Sequence, residues 1–500
     1  MSKKKKFIYN GLLLTLVGFA MRGAGLFLGA YVAGQIGADG VGLQGLIATV
    51  YSFAVTFATS GVSLSVTRLV AVCIGEGEGG ERILRGAFVY ALIFGTAATV
   101  LLFVLSDVIA DTVLLNVGAA GALRMLSLSL LPMAMSAVIS GYFVAVRRVT
   151  LNASVQILGQ IMRIGLTALL LVRLSDASTE GAVLALAMGA VLTELACFTL
   201  AFIEYVFDRR IYGNISNKGY AVGEVAAMAL PLAFSAYVRS FLMSVEHSLI
   251  PRRLIDSGST REEALASYGY LGGMALPIIL FPMTPLSSFS GLLVPEFAES
   301  EGAGESAGME RIASRAVSMT LFYASAVAVF VFTFSEEIGY VVYNTYEAGR
   351  YVAFLAPVIP IMYLDHVTDS MLKGVGEQVF SMWVNIMDSL LSVGLVWLLI
   401  PIFDISGYAI VIILMELFNF ALSYQRLKKR VRFTVNAFGS LGFGLLFSWI
   451  AAFGVKEAFR VSGTTVDVGL LIAETVVAVC IFIALTCIKS TLSSGVKRSR

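Results

Sequence analysis

Residues 3–34 read KKKKFIYNGLLLTLVGFAMRGAGLFLGAYVAG. Four lysines precede an apolar run whose single charge is Arg22. At 1.5 Å per residue the run is long enough to cross a bilayer core of about 30 Å. An arginine at the centre of such a helix costs roughly 2.5–3.5 kcal/mol on insertion scales, so it is rarely left facing lipid. Arg163 and Arg239 repeat the situation in two further apolar runs. Measured along their helices, Arg22 and Arg239 lie about 22–24 Å from the end the charge pattern makes cytoplasmic, and Arg163 about 20 Å. Guanidinium groups at matched depth predict a polar cavity inside a helical bundle, with an anionic guest.

The rest of the chain supports a membrane reading. Of 500 residues 58% are hydrophobic and 14% charged, and the mean hydropathy is +0.86, outside the range of soluble domains. A net charge of +2 gives no electrostatic footprint for nucleic acid. Cys73, Cys197, Cys480 and Cys487 have no paired spacing, and His247 and His366 are far apart, so neither a disulfide framework nor a metal centre is expected. The lysine-led N-terminus imitates a signal peptide. Its apolar run is too long and lacks an early small-residue cleavage site, so it reads as an uncleaved first span.

Apolar windows give about fourteen spans, beginning 7–34, 41–72, 86–110, 121–146, 150–173 and 181–206 and ending 434–455 and 466–488. Lys3–Lys6, Arg147, Arg148, Arg209, Arg210, Arg426, Lys428, Lys429, Arg430 and Arg432 fall on one side, which predicts cytoplasmic termini. Gly18–Arg22 resembles Ser235–Arg239, and Ser60-Gly61-Val62 resembles Ser290-Gly291-Leu292. The expected class is therefore an all-α integral membrane protein with parallel six-helix repeats. Residues 1–206 would form one lobe, 207–222 a cytoplasmic linker, 223–425 a second lobe, and 426–500 two extra helices and a tail.

Arginine suits phosphate because its planar fork makes paired, charge-assisted hydrogen bonds. Arg22 and Arg239 are the leading candidates for one shared cavity. For Arg163 the alternative is an ion pair with Glu194 on the next span. Arg68, at the cytoplasmic end of span 2, is a candidate for binding or for interfacial anchoring. Asp365, Asp369 and Lys373 share one helical stripe, where an Asp369–Lys373 pair competes with a proton- or cation-binding role. Asn385, Asp388 and Ser392 share another and offer oxygens suited to sodium, by analogy with other hard cations. Glu416 and Glu474 are mid-span carboxylates without evident partners, and Glu246-His247 is a polar pair near one helix end. Gly75–Gly80 lacks the Lys-Ser/Thr of a phosphate loop. Pro231, Pro277, Pro282 and Pro285 interrupt apolar helices.

Several ordered motifs carry a family likeness. They are Ile36-Gly37-Ala38-Asp39-Gly40-Val41-Gly42-Leu43-Gln44, Arg68-Leu69-Val70-Ala71, Gly141-Tyr142-Phe143, Gln156 through Gln160 to Arg163, and Ala229-Leu230-Pro231. Ile250-Pro251-Arg252-Arg253-Leu254, Tyr268-Gly269, Met274-Ala275-Leu276-Pro277, Leu372-Lys373-Gly374-Val375-Gly376-Glu377 and Ile405-Ser406-Gly407-Tyr408 follow. Together they resemble the multidrug/oligosaccharidyl-lipid/polysaccharide exporter superfamily, in its stage V sporulation and polysaccharide-biosynthesis flippase branch. Departures are Val144-Ala145 where the family tends to have Gln-Gly, and Gly159 where it often has Glu. The resemblance implies an alternating-access flippase, not an enzyme, in a bacterial cell membrane. It implies a polyprenyl-diphosphate-linked saccharide as substrate, a functional monomer, and envelope-synthesis enzymes as candidate partners. No cofactor is expected beyond coupling to Na+, H+ or the membrane potential. The competing expectation is a cation-coupled multidrug exporter of the same superfamily, which should line its cavity with carboxylates. A membrane glycosyltransferase would need a large polar loop or an acidic metal-binding motif, and neither is evident.

Overall fold

A computed structural model describes residues 3–75, 80–146, 148–174, 178–211, 221–302, 305–435, 437–461, 473–479 and 481. Every regular element among them is helical. In chain order they are α1 (Lys3–Thr59), α2 (Val62–Gly75), α3 (Glu81–Thr112), α4 (Ala119–Ser127), α5 (Leu130–Ala145), α6 (Val149–Leu174), α7 (Thr179–Ile211), α8 (Val222–Asp256) and α9 (Arg261–Tyr268). A π-helical turn, Gly269–Ala275, leads to α10 (Leu276–Leu280), and a 3-10 turn, Phe281–Met283, to α11 (Thr284–Gly302). Then come α12 (Ser306–Thr333), α13 (Ser335–Tyr343), α14 (Tyr346–Leu355), α15 (Ile359–Gly374), α16 (Gln378–Phe403), α17 (Ile405–Arg430) and α18 (Ala437–Val461).

Among the described residues 11 helices are long and apolar enough to cross a membrane, or 12 with the bent α8. The expected fourteen is not reached. One reason is that the first two predicted spans run together as Gly18–Ile74, 57 residues long. Gly37, at φ 70°, breaks that stretch where the sequence places a loop. Of the expected last span, 466–488, only residues 473–479 and 481 are described, and they are helical, while most of the 207–222 linker lies outside the described residues.

The chain falls into two compact units, Gln35–Gly269 and Met1–Gly34 with Tyr270–Arg500. These are not drawn like the predicted lobes: the first half of α1 belongs with the C-terminal helices, and α8 with the N-terminal ones. Lobes are defined by a repeat and units by compactness, so the six-helix repeat stands as an expectation.

In the Gln35–Gly269 unit, α6 packs on α7, and α5 on α2 and α3. Ser60 (φ 45°) and Gly61 (φ 70°) interrupt the predicted second span between α1 and α2. Tyr90 Oη donates to the Ser60 carbonyl at 3.2 Å, and the Tyr90 and Tyr237 hydroxyls both bond Ser60 Oγ. This replaces backbone hydrogen bonds that water cannot supply in a bilayer. Pro231 bends α8 by 46°, as loss of an N–H and ring clash one turn back require.

The other unit has a core of Leu293 and Phe297 from α11, Val317 and Leu321 from α12, Leu364, Val367 and Met371 from α15, and Leu427 from α17. The expected thirteenth span, α18, is packed along α12. Ser448, Ala451 and Ala452 of α18 are fully buried, small residues of the kind that let membrane helices approach closely. Lys456 fixes one end of the pair, bonding the Thr333 carbonyl at 2.6 Å and Glu337 at 2.7 Å.

Candidate functional site

Arg22 stands beside a broken helix. Prolines at 277, 282 and 285 remove N–H donors around the 3-10 turn, which exposes carbonyls inside an apolar bundle. Four successive carbonyls are taken up by side chains. Tyr363 Oη donates to Ile279 O at 2.9 Å, Arg22 Nη1 to Leu280 O at 3.4 Å, Thr284 Oγ1 to Phe281 O at 2.7 Å, and Tyr323 Oη to Pro282 O at 2.7 Å. Phe19, one turn before Arg22, rests on Phe281 with ring centroids 4.7 Å apart. One long hydrogen bond uses one of five guanidinium N–H groups. Arg22 is otherwise exposed and has no acidic partner among the described residues. The tyrosines that complete this arrangement were not singled out by sequence. Two apolar-helix tyrosines facing a triple-proline segment are the signal that could have found them.

Arg239, in the other unit, lies two turns beyond the Pro231 bend, exposed and likewise without an acidic partner among the described residues. Arg68 on α2 is the same. Arg163 is different, because Glu194 on α7 accepts from its Nη2 at 3.0 Å. Its charge is therefore already answered inside the protein. A Cβ on Gly159 would sit 2.6 Å from Cys197 Sγ, so a larger residue there would require the Cys197 side chain to move. The carboxylate missing from position 159 is supplied from α7 instead.

The acidic candidates gather in the unit that holds α15, α16 and α17. Asp369 is committed to Lys373, 2.5 Å away, and accepts from Ser381 Oγ. Asn385 donates to the Ser381 carbonyl at 2.7 Å. Asp365, Asp388 and Glu416 are near enough to one another to interact electrostatically, one from each of the three helices. Glu416 thus acquires a setting that the sequence could not assign, since α15, α16 and α17 meet only in the folded bundle. Asp365 Oδ1 and Asn419 Oδ1 are buried without a hydrogen-bond donor among the described residues. Among the described residues no three His, Cys, Asp or Glu side chains converge closely enough to hold a metal ion.

Just before α16, Glu377 accepts from Arg426 at 2.9 Å and from Arg430. Burial opposes its charge, but these hydrogen bonds and the two guanidinium charges outweigh it and hold the carboxyl below the usual glutamate range.

Comparison with known proteins gives the same architecture. Residues 7–301 match the family described as polysaccharide biosynthesis protein, and residues 254–398 match the MatE family. Stage V sporulation protein B of Bacillus subtilis (strain 168) is 23% identical over 420 residues, covering 82% of this chain and 81% of that protein. Sporulation protein YkvU of the same organism is 21% identical, covering 70% and 79%. The inward closed structure of lipid II flippase MurJ superposes with a TM-score of 0.73 at 14% identity, over 95% of this chain and 98% of that one. An inward-facing multidrug resistance MATE transporter gives 0.65 at 16% identity, over 83% and 98%. With this helical architecture and a family match over more than half its length, the chain is a multi-pass membrane protein that belongs to the polysaccharide biosynthesis protein family.

Proposed function

We propose that this protein flips a polyprenyl-diphosphate-linked saccharide across the cytoplasmic membrane by alternating access. The observation that carries the reading is that Arg22 and Arg239 are mid-span arginines with no acidic partner among the described residues. A diphosphate supplies the missing charge and several acceptor oxygens. The curated relatives in sporulation and the MurJ fold favour an envelope saccharide such as a peptidoglycan precursor. Arg22 and Arg239 engage the phosphates, with Arg68 as an interfacial contact, while Arg163 serves mainly to join α6 to α7. The termini face the cytoplasm, as the lysine and arginine bias requires.

Coupling to a cation is assigned to Asp388 with Asn385 and Asp365, and Asp369 is less available because of Lys373. Asp365, Asp369 and Asp388, which lie inside the MatE match, favour a second reading as a cation-coupled multidrug exporter. Flipping of a defined diphospholipid in vesicles separates the two. Arg22→Ala and Arg239→Ala should each abolish most flipping, and Lys at either position should retain more than Ala, having charge without the fork. Wild-type rates in both alanine variants, with normal insertion, would remove the arginines from the mechanism. Efflux of cationic drugs that needs Asp388 but neither arginine would favour the second reading.

A further inference from the structure

The Gln35–Gly269 unit carries an apolar groove that the transport reading does not use. Val50 and Phe53 of α1, Ile109 of α3, Val113 just beyond it, and Phe241 and Val245 of α8 line a cavity of about 350 Å³. Phe53 and Phe241 meet edge to face at 5.9 Å and form one wall, and Phe241 is 54% exposed. Three hydroxyls reach the groove, but all are turned into backbone: Thr112 donates to Val108 O at 2.6 Å, Ser244 to Thr49 O at 3.1 Å, and Ser248 to Ser244 O at 2.6 Å. The lining is therefore apolar until Arg252, which closes one end.

The charges at that end are unequal. Arg253 bonds Asp256 at 3.1 Å, whereas Arg252 makes no ion pair among the described residues. From Phe241 to Arg252 along α8 is about 16 Å, the hydrocarbon depth of one leaflet in a core of about 30 Å. Even the whole open space at the groove, about 860 Å³, is smaller than the roughly 1,250 Å³ that 16 Å of a helix 10–12 Å across occupies. A single hydrocarbon chain is the slimmer occupant that fits.

We propose that this groove is a structural lipid site that binds one acyl chain of an anionic membrane phospholipid, with the headgroup phosphate on Arg252. The lipid belongs to the leaflet at the Asp256 end of α8, which is the outer one by the charge bias. A membrane phospholipid is favoured over the longer polyprenyl carrier because the groove spans one leaflet and stops at the cation. The second acyl chain stays in the bilayer.

Native mass spectrometry of the full-length protein, released from detergent containing phosphatidylglycerol or phosphatidylcholine, tests the site. Wild type should retain one phosphatidylglycerol, and phosphatidylcholine at least fivefold less. Arg252→Gln should lower phosphatidylglycerol retention fivefold or more, as should Val245→Trp, which fills the groove without touching the charge. Arg253→Gln, whose guanidinium is already paired, should stay within twofold of wild type. Retention unchanged in Arg252→Gln, an equal loss in Arg253→Gln, or displacement of the phospholipid by an equal concentration of polyprenyl phosphate would each overturn the assignment. Because no step measures flipping, the result is independent of the transport reading.

Discussion

Replacing Gly42 by alanine should loosen the Gln35–Gly269 unit, and the geometry sets the size of the effect. A Cβ on Gly42 would lie 2.0 Å from the Leu265 carbonyl oxygen and 2.8 Å from its carbon. The contact is reciprocal, since a Cβ on Gly269 would lie 2.1 Å from Ala38 O and 2.9 Å from Gly42 N. The obstructing atoms are backbone, so no rotamer change can clear them. The second half of α1 must instead separate from α9 by more than about 1 Å, giving up packing along the shared face, which corresponds to the usual overpacking cost of about 1–3 kcal/mol. Because the two glycines face each other, the gap opened by one alanine accommodates the second. The double variant should therefore cost clearly less than the two single costs added together. Gly165→Ala on α6 is the control: nothing lies within 4 Å of its Cβ, and alanine should gain up to about 1 kcal/mol of helix propensity. Denaturant unfolding in detergent, followed by fluorescence, measures the two single variants, the double variant and the control against wild type. Gly42→Ala as stable as Gly165→Ala would refute the close approach.

Glu194→Gln should destabilise the protein by about 1–3 kcal/mol by leaving the Arg163 guanidinium without its charged acceptor. A Glu194→Gln, Arg163→Gln double variant should recover at least half of that loss in the same unfolding assay, and failure to recover would mean the pair is not the source. Ser60→Ala removes a hydroxyl bonded by both Tyr90 and Tyr237 and should cost about 1–2 kcal/mol. Ser60→Gly should cost less, because glycine adopts φ 45° without strain; the reverse order would remove the helix break from the explanation. Glu377 has its carboxyl held below the usual range, so its stabilising contribution is present above the unfolded glutamate value of about 4.3 and is lost as pH falls through the lower folded value. The stability gap between wild type and Glu377→Gln should thus be full at pH 7 and close in acid below about pH 4. A gap that persists in acid would assign the effect to packing.

The sequence by itself determined the class of structure. Runs of apolar residues of bilayer length force the backbone to satisfy its own hydrogen bonds, and only helices do so within one segment. Arg22 and Arg239 stood out for the same reason, because a charge in a hydrophobic run is costly wherever the helix is placed. The breaks at Gly37 and Pro231 were legible as well, since glycine and proline act through their own backbone. What the tertiary structure decided was partnership. Arg163 pairs with Glu194, and Arg22 shares a row of carbonyls with Tyr363, Thr284 and Tyr323. Ser60 is gripped by Tyr90 and Tyr237, and Glu416 joins Asp365 and Asp388. Hydropathy is a property of one helix, whereas each of these contacts depends on the rotation and height at which separate helices pack, and those are fixed by close fits such as Gly42 against Leu265. A pattern within one helix says which residues need a partner, and only the packed bundle says which partner they have.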